Sequence, residues 1–246
     1  MSDRLLTSGG GQLLLRLSTR RDAEAMLPLA TQLGKALGMR LSALFVEEED
    51  AIIAATLPLP NVMDFSGKRL AATLPALETV IRLEAERCER LVQQSAEQAQ
   101  LTWSFESRRG GLSSLLLGAC RHGDMAVMRF DRLAGGWRDA LGFARMLAAT
   151  SGDALILRDA PRATMNTVLV IESGERCRRM ADRIANALSA KPVSLSVSEF
   201  IAGAVPLSSQ IGLVVIDNAL LSSAEDEISQ AITRVHASLL VLGNAA

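Results

Sequence analysis

Three arginines within ten residues, Arg129, Arg132 and Arg138, are the side chains best suited to recognising a ligand in this 246-residue chain. Guanidinium groups pair with phosphate or carboxylate through two parallel hydrogen bonds, so the stretch 129–142 (RFDRLAGGWRDALG) is a candidate anion-binding loop. Asp131 and Asp139 offer the other outcome, a solvated loop that neutralises its own charge. The only histidines, His122 and His236, each precede an apolar run, where a ring can cap the carbonyls of a helix end. A catalytic base needs a nucleophile or acid within reach. Ser113 or Ser114 with His122 and Asp124 would make a triad in name, but no G-x-S-x-G elbow accompanies them.

Other chemistries are excluded by spacing. Gly34-Lys35 and Gly67-Lys68 are followed by Ala36 and Arg69, so neither is a phosphate-binding P-loop. Gly9-Gly10-Gly11 precedes a strand instead of following one, which removes the dinucleotide fingerprint and leaves a flexible tail over 1–11. Neither histidine has a ligand residue three or four positions away, and Cys88, Cys120 and Cys177 lie far apart with no C-x-x-C pair, so no metal site is expected and the thiols read as reduced and buried. With 26 basic and 27 acidic side chains the net charge is −1, too balanced for a protein whose affinity comes from counterion release on nucleic acid. No apolar run reaches the ~18 residues of a membrane span and no signal peptide is present, so a cytoplasmic location is expected.

The elements that must hold these residues follow from hydrophobic periodicity. Residues 12–17 (QLLLRL) have the length and composition of a strand, and Ala23, Met26, Leu27, Ala30, Leu33 and Leu37 recur at helical spacing up to a capping Gly38. A second strand over 40–46 completes a strand-helix-strand unit, which implies a parallel sheet. A long connection is expected over 47–67, then a long amphipathic helix over 68–100. Alternation predicts a strand around Trp103 and Phe105, followed by a helix over 112–122, a strand over 124–128, a helix over 137–149 and a strand over 154–157. After a linker over 159–166 the pattern restarts with strands over 167–171, 192–197, 211–216 and 238–242, and helices over 175–189 and 222–235. Such alternation defines an α/β protein.

The phrases AEAMLPLATQLGKALGMRLSALFVEE, ACRHGDMAVM and RVHASLLVL are similar to those of the universal stress protein family, and the chain resembles a tandem, degenerate member of it. The resemblance implies two Rossmann-like halves with mostly parallel sheets, 12–160 and a shortened 161–246, with the strands at 154–157 and 238–242 meeting at a pseudo-twofold axis. Nucleotide-binding members place an acid after the first strand, for adenine and ribose, and a glycine-rich phosphate loop after the fourth. Here Ser18 stands at the first acidic position and Arg129 at the first loop glycine; in the second half Glu172 supplies the acid but Asp217 stands at the loop glycine. An acid beside a phosphate site repels the ligand. The implied function is therefore a binding or regulatory module without the standard ATP loop, not an enzyme, acting with no cofactor through a protein partner or as a homo-oligomer. The alternative is an adenine-nucleotide or other anion binder, with ATP or AMP as ligand, using either Glu172 or the loop of Arg129, Arg132 and Arg138.

Overall fold

The computed structural model describes residues 11–48, 74–121, 123–129, 136–150, 152–158, 166–172, 174–204 and 211–243. Of residues 48, 74, 112, 136–138 and 225 it describes the backbone alone. The expected tail over 1–11, connection over 47–67 and linker over 159–166 fall almost entirely outside these ranges, as do Arg132 and His122.

The strands are β1 (Gln12–Leu17), β2 (Arg40–Glu48), β3 (Trp103–Gly110), β4 (Met125–Arg129), β5 (Asp153–Leu157), β6 (Thr167–Ile171), β7 (Lys191–Leu195), β8 (Ile211–Asp217) and β9 (Ser238–Leu242). The helices are α1 (Arg20–Leu37), α2 (Leu74–Ala99), α3 (Leu112–Ala119), α4 (Gly136–Thr150), α5 (Glu175–Leu188), α6 (Val197–Ile201), α7 (Asn218–Ser223) and α8 (Glu225–Val235). All these strands join one nine-stranded sheet in the order β3-β2-β1-β4-β5-β9-β8-β6-β7. Every neighbouring pair is parallel except β5 with β9, where Ala154, Leu155 and Ile156 face Val241, Leu240 and Leu239 in antiparallel register. What was expected as two sheets is thus a single mixed, mostly parallel one, and the expected meeting of 154–157 with 238–242 is what makes it continuous.

Strand alternation divides the core between the two faces of the sheet. Leu13, Leu15 and Leu17 point to one side and pack with Met26 and Leu33 of α1, Cys88 and Val92 of α2, and Ala181 and Ile184 of α5. Leu14 points to the other side, which is covered by Leu116 of α3, Leu141 and Leu147 of α4, Phe200 of α6, Leu221 of α7 and Ile228 of α8. β5 and β9 are buried throughout, as the central strands of a sheet covered on both faces must be. The sheet ends at β3, with exposed Glu106, Arg108 and Arg109, and at β7, with exposed Lys191 and Pro192, residue types that discourage further strand pairing.

The ends of the elements have local causes. Thr19 and Asp22 form a reciprocal capping box at the start of α1, and Gly38 ends it in the left-handed conformation at φ 67°. β3 continues to Gly110, past the apolar alternation, because β2 pairs with it as far as Glu48↔Gly110. β7 stops at Leu195 and not at 197 because Ser196 and Glu199 form a capping box that opens α6. The single helix expected over 222–235 is two helices. Asp217 accepts a hydrogen bond from the backbone N–H of Ala219 and opens α7 early, and Ala224, at φ −144° and ψ 49°, separates α7 from α8.

Candidate functional site

An open α/β sheet binds ligands beyond the carboxyl ends of its strands, where neighbouring connections leave to opposite sides. In β3-β2-β1-β4-β5 that point lies between β1 and β4. The chain leaves β1 through Ser18 and Thr19 into α1, and β4 ends at Arg129. Asp22, on the first turn of α1, is folded back into this gap. Its Oδ2 accepts hydrogen bonds from Ser18 N (3.2 Å), Ser18 Oγ (2.8 Å) and Thr19 N (3.1 Å). Its Oδ1 lies 3.0 Å from Arg129 Nε, with the two side chains only 6% and 11% exposed. Arg129 therefore points inward to a carboxylate of its own chain, and a buried ion pair ties the exit of β1 to the exit of β4. Arg138 lies on α4, where only the backbone is described, so the three arginines are not shown to converge.

The corresponding point in β9-β8-β6-β7 lies between β6 and β8. Glu172 follows β6 directly; its side chain is 49% exposed and lies 3.4 Å from Arg178, an exposed pair that contributes little to stability. Asp217 ends β8 and its Oδ1 accepts from Ala219 N at 2.8 Å, so the start of α7 already carries an anion supplied by the chain. The next residue, Asn218, is buried, and its Oδ1 has no hydrogen-bond partner among the described residues. Glu172 and Asp217 both sit at this edge, and each is engaged with a neighbour.

Elsewhere several side chains named from sequence have structural partners. His236 ends α8 in the left-handed conformation at φ 55°, and its exposed ring places Nδ1 2.6 Å from Arg158 Nη1. Since the arginine must donate, Nδ1 accepts there. Ser114 Oγ donates to the Gly111 carbonyl (2.8 Å). Asp124 accepts from Gln12 N (3.0 Å), Gln12 Nε2 (2.9 Å) and Arg121 N (2.8 Å), a tie between the starts of β1 and β4. Burial pushes the Cys88 and Cys120 thiols up to about 12, the opposite of an activated nucleophile. Among the described residues no group of three or more histidine, cysteine or acidic side chains could hold a metal ion.

Spacing alone missed two features. Asp22 reads in the sequence only as part of a helix start, although the pattern Thr19-x-x-Asp22 carries the capping signal that folds its carboxylate back. The second is at the β5–β9 junction, where Asp153 Oδ1 accepts from Gly243 N (2.9 Å) and pairs with Arg176 Nη2 (2.7 Å), while Arg176 Nη1 also donates to the Gly243 carbonyl. Gly243 and Gly152 meet there so closely that a Cβ on Gly243 would fall 2.7 Å from the Gly152 oxygen.

The architecture is an α/β fold on one mixed, mostly parallel sheet, with charged side chains of Asp22, Arg129, Glu172 and Asp217 at the strand ends where the connections diverge. No protein-family model matches the sequence, and no curated protein does. The fold is similar to a crystal structure described as "Putative Universal Stress Protein from Pseudomonas aeruginosa UCBPP-PA14", with a TM-score of 0.51 and 11% sequence identity, over 95% of this chain and 92% of that one. At that identity the likeness is one of fold. Among the described residues no helix is long and apolar enough to cross a membrane.

Proposed function

We propose that this chain is a non-catalytic binding or regulatory module on a universal stress protein-like fold, that it has lost nucleotide binding, and that it acts through contacts with protein partners. In this reading 12–160 and 161–246 are two copies of one fold, the second shortened. Two matching strand orders support it: β2-β1-β4-β5 and β7-β6-β8-β9 have the same arrangement, and β3 has no counterpart among the described strands.

The observation that carries the reading is the Asp22–Arg129 ion pair. A phosphate entering between β1 and β4 would have to break a pair at 3.0 Å that is almost fully shielded from water, and would then face the Asp22 carboxylate. At the second crevice the Asp217 carboxylate already occupies the helix start where an anion would bind, so like charge opposes a second anion.

The test is a calorimetric and thermal-shift titration of the whole chain with ATP, ADP, AMP and inorganic phosphate, with and without Mg²⁺. A ligand at ~100 times its Kd would stabilise the native state by about 2.7 kcal/mol. No heat and no shift at millimolar ligand are expected. Saturable binding that disappears in Glu172→Gln would overturn the reading in favour of a nucleotide site in the second half. Binding of phosphate alone, lost in Arg129→Met, would favour an anion site in the first.

A further inference from the structure

The outer edge of β3 offers a row of backbone groups that no described strand takes up. Leu41 N donates to the Thr102 carbonyl at 2.9 Å, so in this parallel ladder the even-numbered residues of β3 turn their backbone groups to β2. The odd-numbered ones, Trp103, Phe105, Ser107 and Arg109, turn theirs outward. The register with β2 runs from Trp103 to Gly110 without a bulge, β3 contains no proline, and its residues from Glu106 to Arg109 are exposed. Side chains on its two faces are engaged differently. Ser107 and Arg109 are tied back to their own copy by Glu47 (2.9 and 3.2 Å), and Arg109 also by Glu78 (3.5 Å). On the other face Glu106 and Arg108 pair, among the described residues, only with each other, at 2.6 Å and with side chains 56% and 44% exposed.

We propose that β3 is a self-association edge, on which β3 of a second copy of this chain pairs antiparallel about a twofold axis through Ser107. In that register Ser107 exchanges N–H···O bonds with its own counterpart, and Phe105 does so with Arg109 of the second copy, using the groups that already face outward. Glu106 and Arg108 then fall at the closely spaced positions between these bonds, Glu106 opposite Arg108 of the second copy and Arg108 opposite Glu106, all on one face. Moving the axis one residue back sets Glu106 against its own counterpart, and moving it one residue on does the same to Arg108, so like charges exclude the neighbouring registers. The charges that discourage an arbitrary strand thus select this partner. The contact rests on the sheet edge alone and is independent of how the crevices are read. One added strand pair is a small surface beside the ~1,600 Å² of a standard interface, so the dimer is weak and salt-sensitive.

Sedimentation equilibrium of the whole chain from about 5 μM to about 1 mM, at low and at about 0.5 M salt, reads this directly. A monomer–dimer equilibrium weakened by salt is expected, with hydrogen exchange at the amides of Phe105, Ser107 and Arg109 slowing as concentration rises. Glu106→Arg turns both intermolecular ion pairs into repulsions and should weaken self-association about tenfold or more, as should Arg108→Glu. Mixed with each other, these two variants are complementary again and should form a heterodimer about as tight as the dimer of the unaltered chain. Ser107→Pro removes the N–H on the axis, which serves no bond to β2, and should abolish association. Because these side chains are exposed, unchanged circular dichroism is the control for folding. A chain that stays monomeric throughout overturns the proposal, as does a dimer indifferent to either charge reversal, or a pair of variants that fails to associate on mixing.

Discussion

Replacing Arg129 with methionine keeps much of the length of the side chain but removes its charge, and leaves Asp22 buried without its cation. Two unit charges about 4 Å apart interact by about 4 kcal/mol at an effective dielectric of about 20. Removing one partner of a buried pair costs about 3–5 kcal/mol, and the low exposure of both side chains, 6% and 11%, leaves little solvent to offset it. Ser18 and Thr19 still donate to Asp22 in the variant, which places the cost at the lower end, about 3 kcal/mol. Urea unfolding followed by circular dichroism should show a lower midpoint at an unchanged slope. Thermal unfolding, at ~2.1 cal/mol/K of unfolding entropy per residue, should fall by about 6 °C. Asp22→Asn keeps the capping acceptor and removes the charge, so the two substitutions form a cycle with an expected coupling of about 2 kcal/mol. A cost below about 1 kcal/mol for Arg129→Met, or a coupling within about 0.5 kcal/mol of zero, would refute the claim that this pair closes the crevice.

Three further outcomes follow from the packing. The Glu84 carboxyl is held below its ordinary value by the backbone N–H of Arg20 and then by the Arg87 side chain, so it stabilises the fold above its unfolded pKa, and that contribution is lost as pH falls through the lower folded value. Glu84→Gln should flatten the acid limb of a urea-stability profile between about pH 3 and 6, and an unchanged limb would contradict the contact. Gly152→Ala would place a Cβ 2.3 Å from the Asp124 carbonyl oxygen, a backbone clash expected to cost about 4 kcal/mol or more and to be read as loss of soluble expression. Iodoacetamide at about pH 8 should leave Cys88 and Cys120 unmodified in the native chain and alkylate both in urea, as mass spectrometry would show; labelling of either under native conditions would contradict their burial.

The strands and the first helix were legible because local and tertiary preferences agree in them. β1 has the bounds read from QLLLRL, since every residue of that run pairs with β2, and α1 starts and stops where Thr19 and Gly38 cap it. Disagreement arose where a polar side chain satisfied the backbone earlier than the apolar pattern suggested, as Asp217 does for α7 and Ser196 for α6. Of the candidate site only the placement of single residues was legible. Arg129 and Asp217 end β4 and β8, and Glu172 follows β6. That Arg129 turns inward to Asp22 depends on a contact between residues remote in sequence, and neighbouring spacing, which groups Arg129 with Arg132 and Arg138, carries no trace of it.

The order of the strands along the chain has a consequence for how the molecule is made. β9 follows every other described strand in the sequence, yet it lies inside the sheet between β5 and β8. Until residues 238–242 leave the ribosome, the apolar rims of β5 and β8 remain open in the middle of the molecule and are competent to pair with any neighbouring nascent chain. A chain that stops before Ser238 would therefore lack a buried central strand instead of a peripheral one, and its two flanking strands would be left unpaired on the sides that face it.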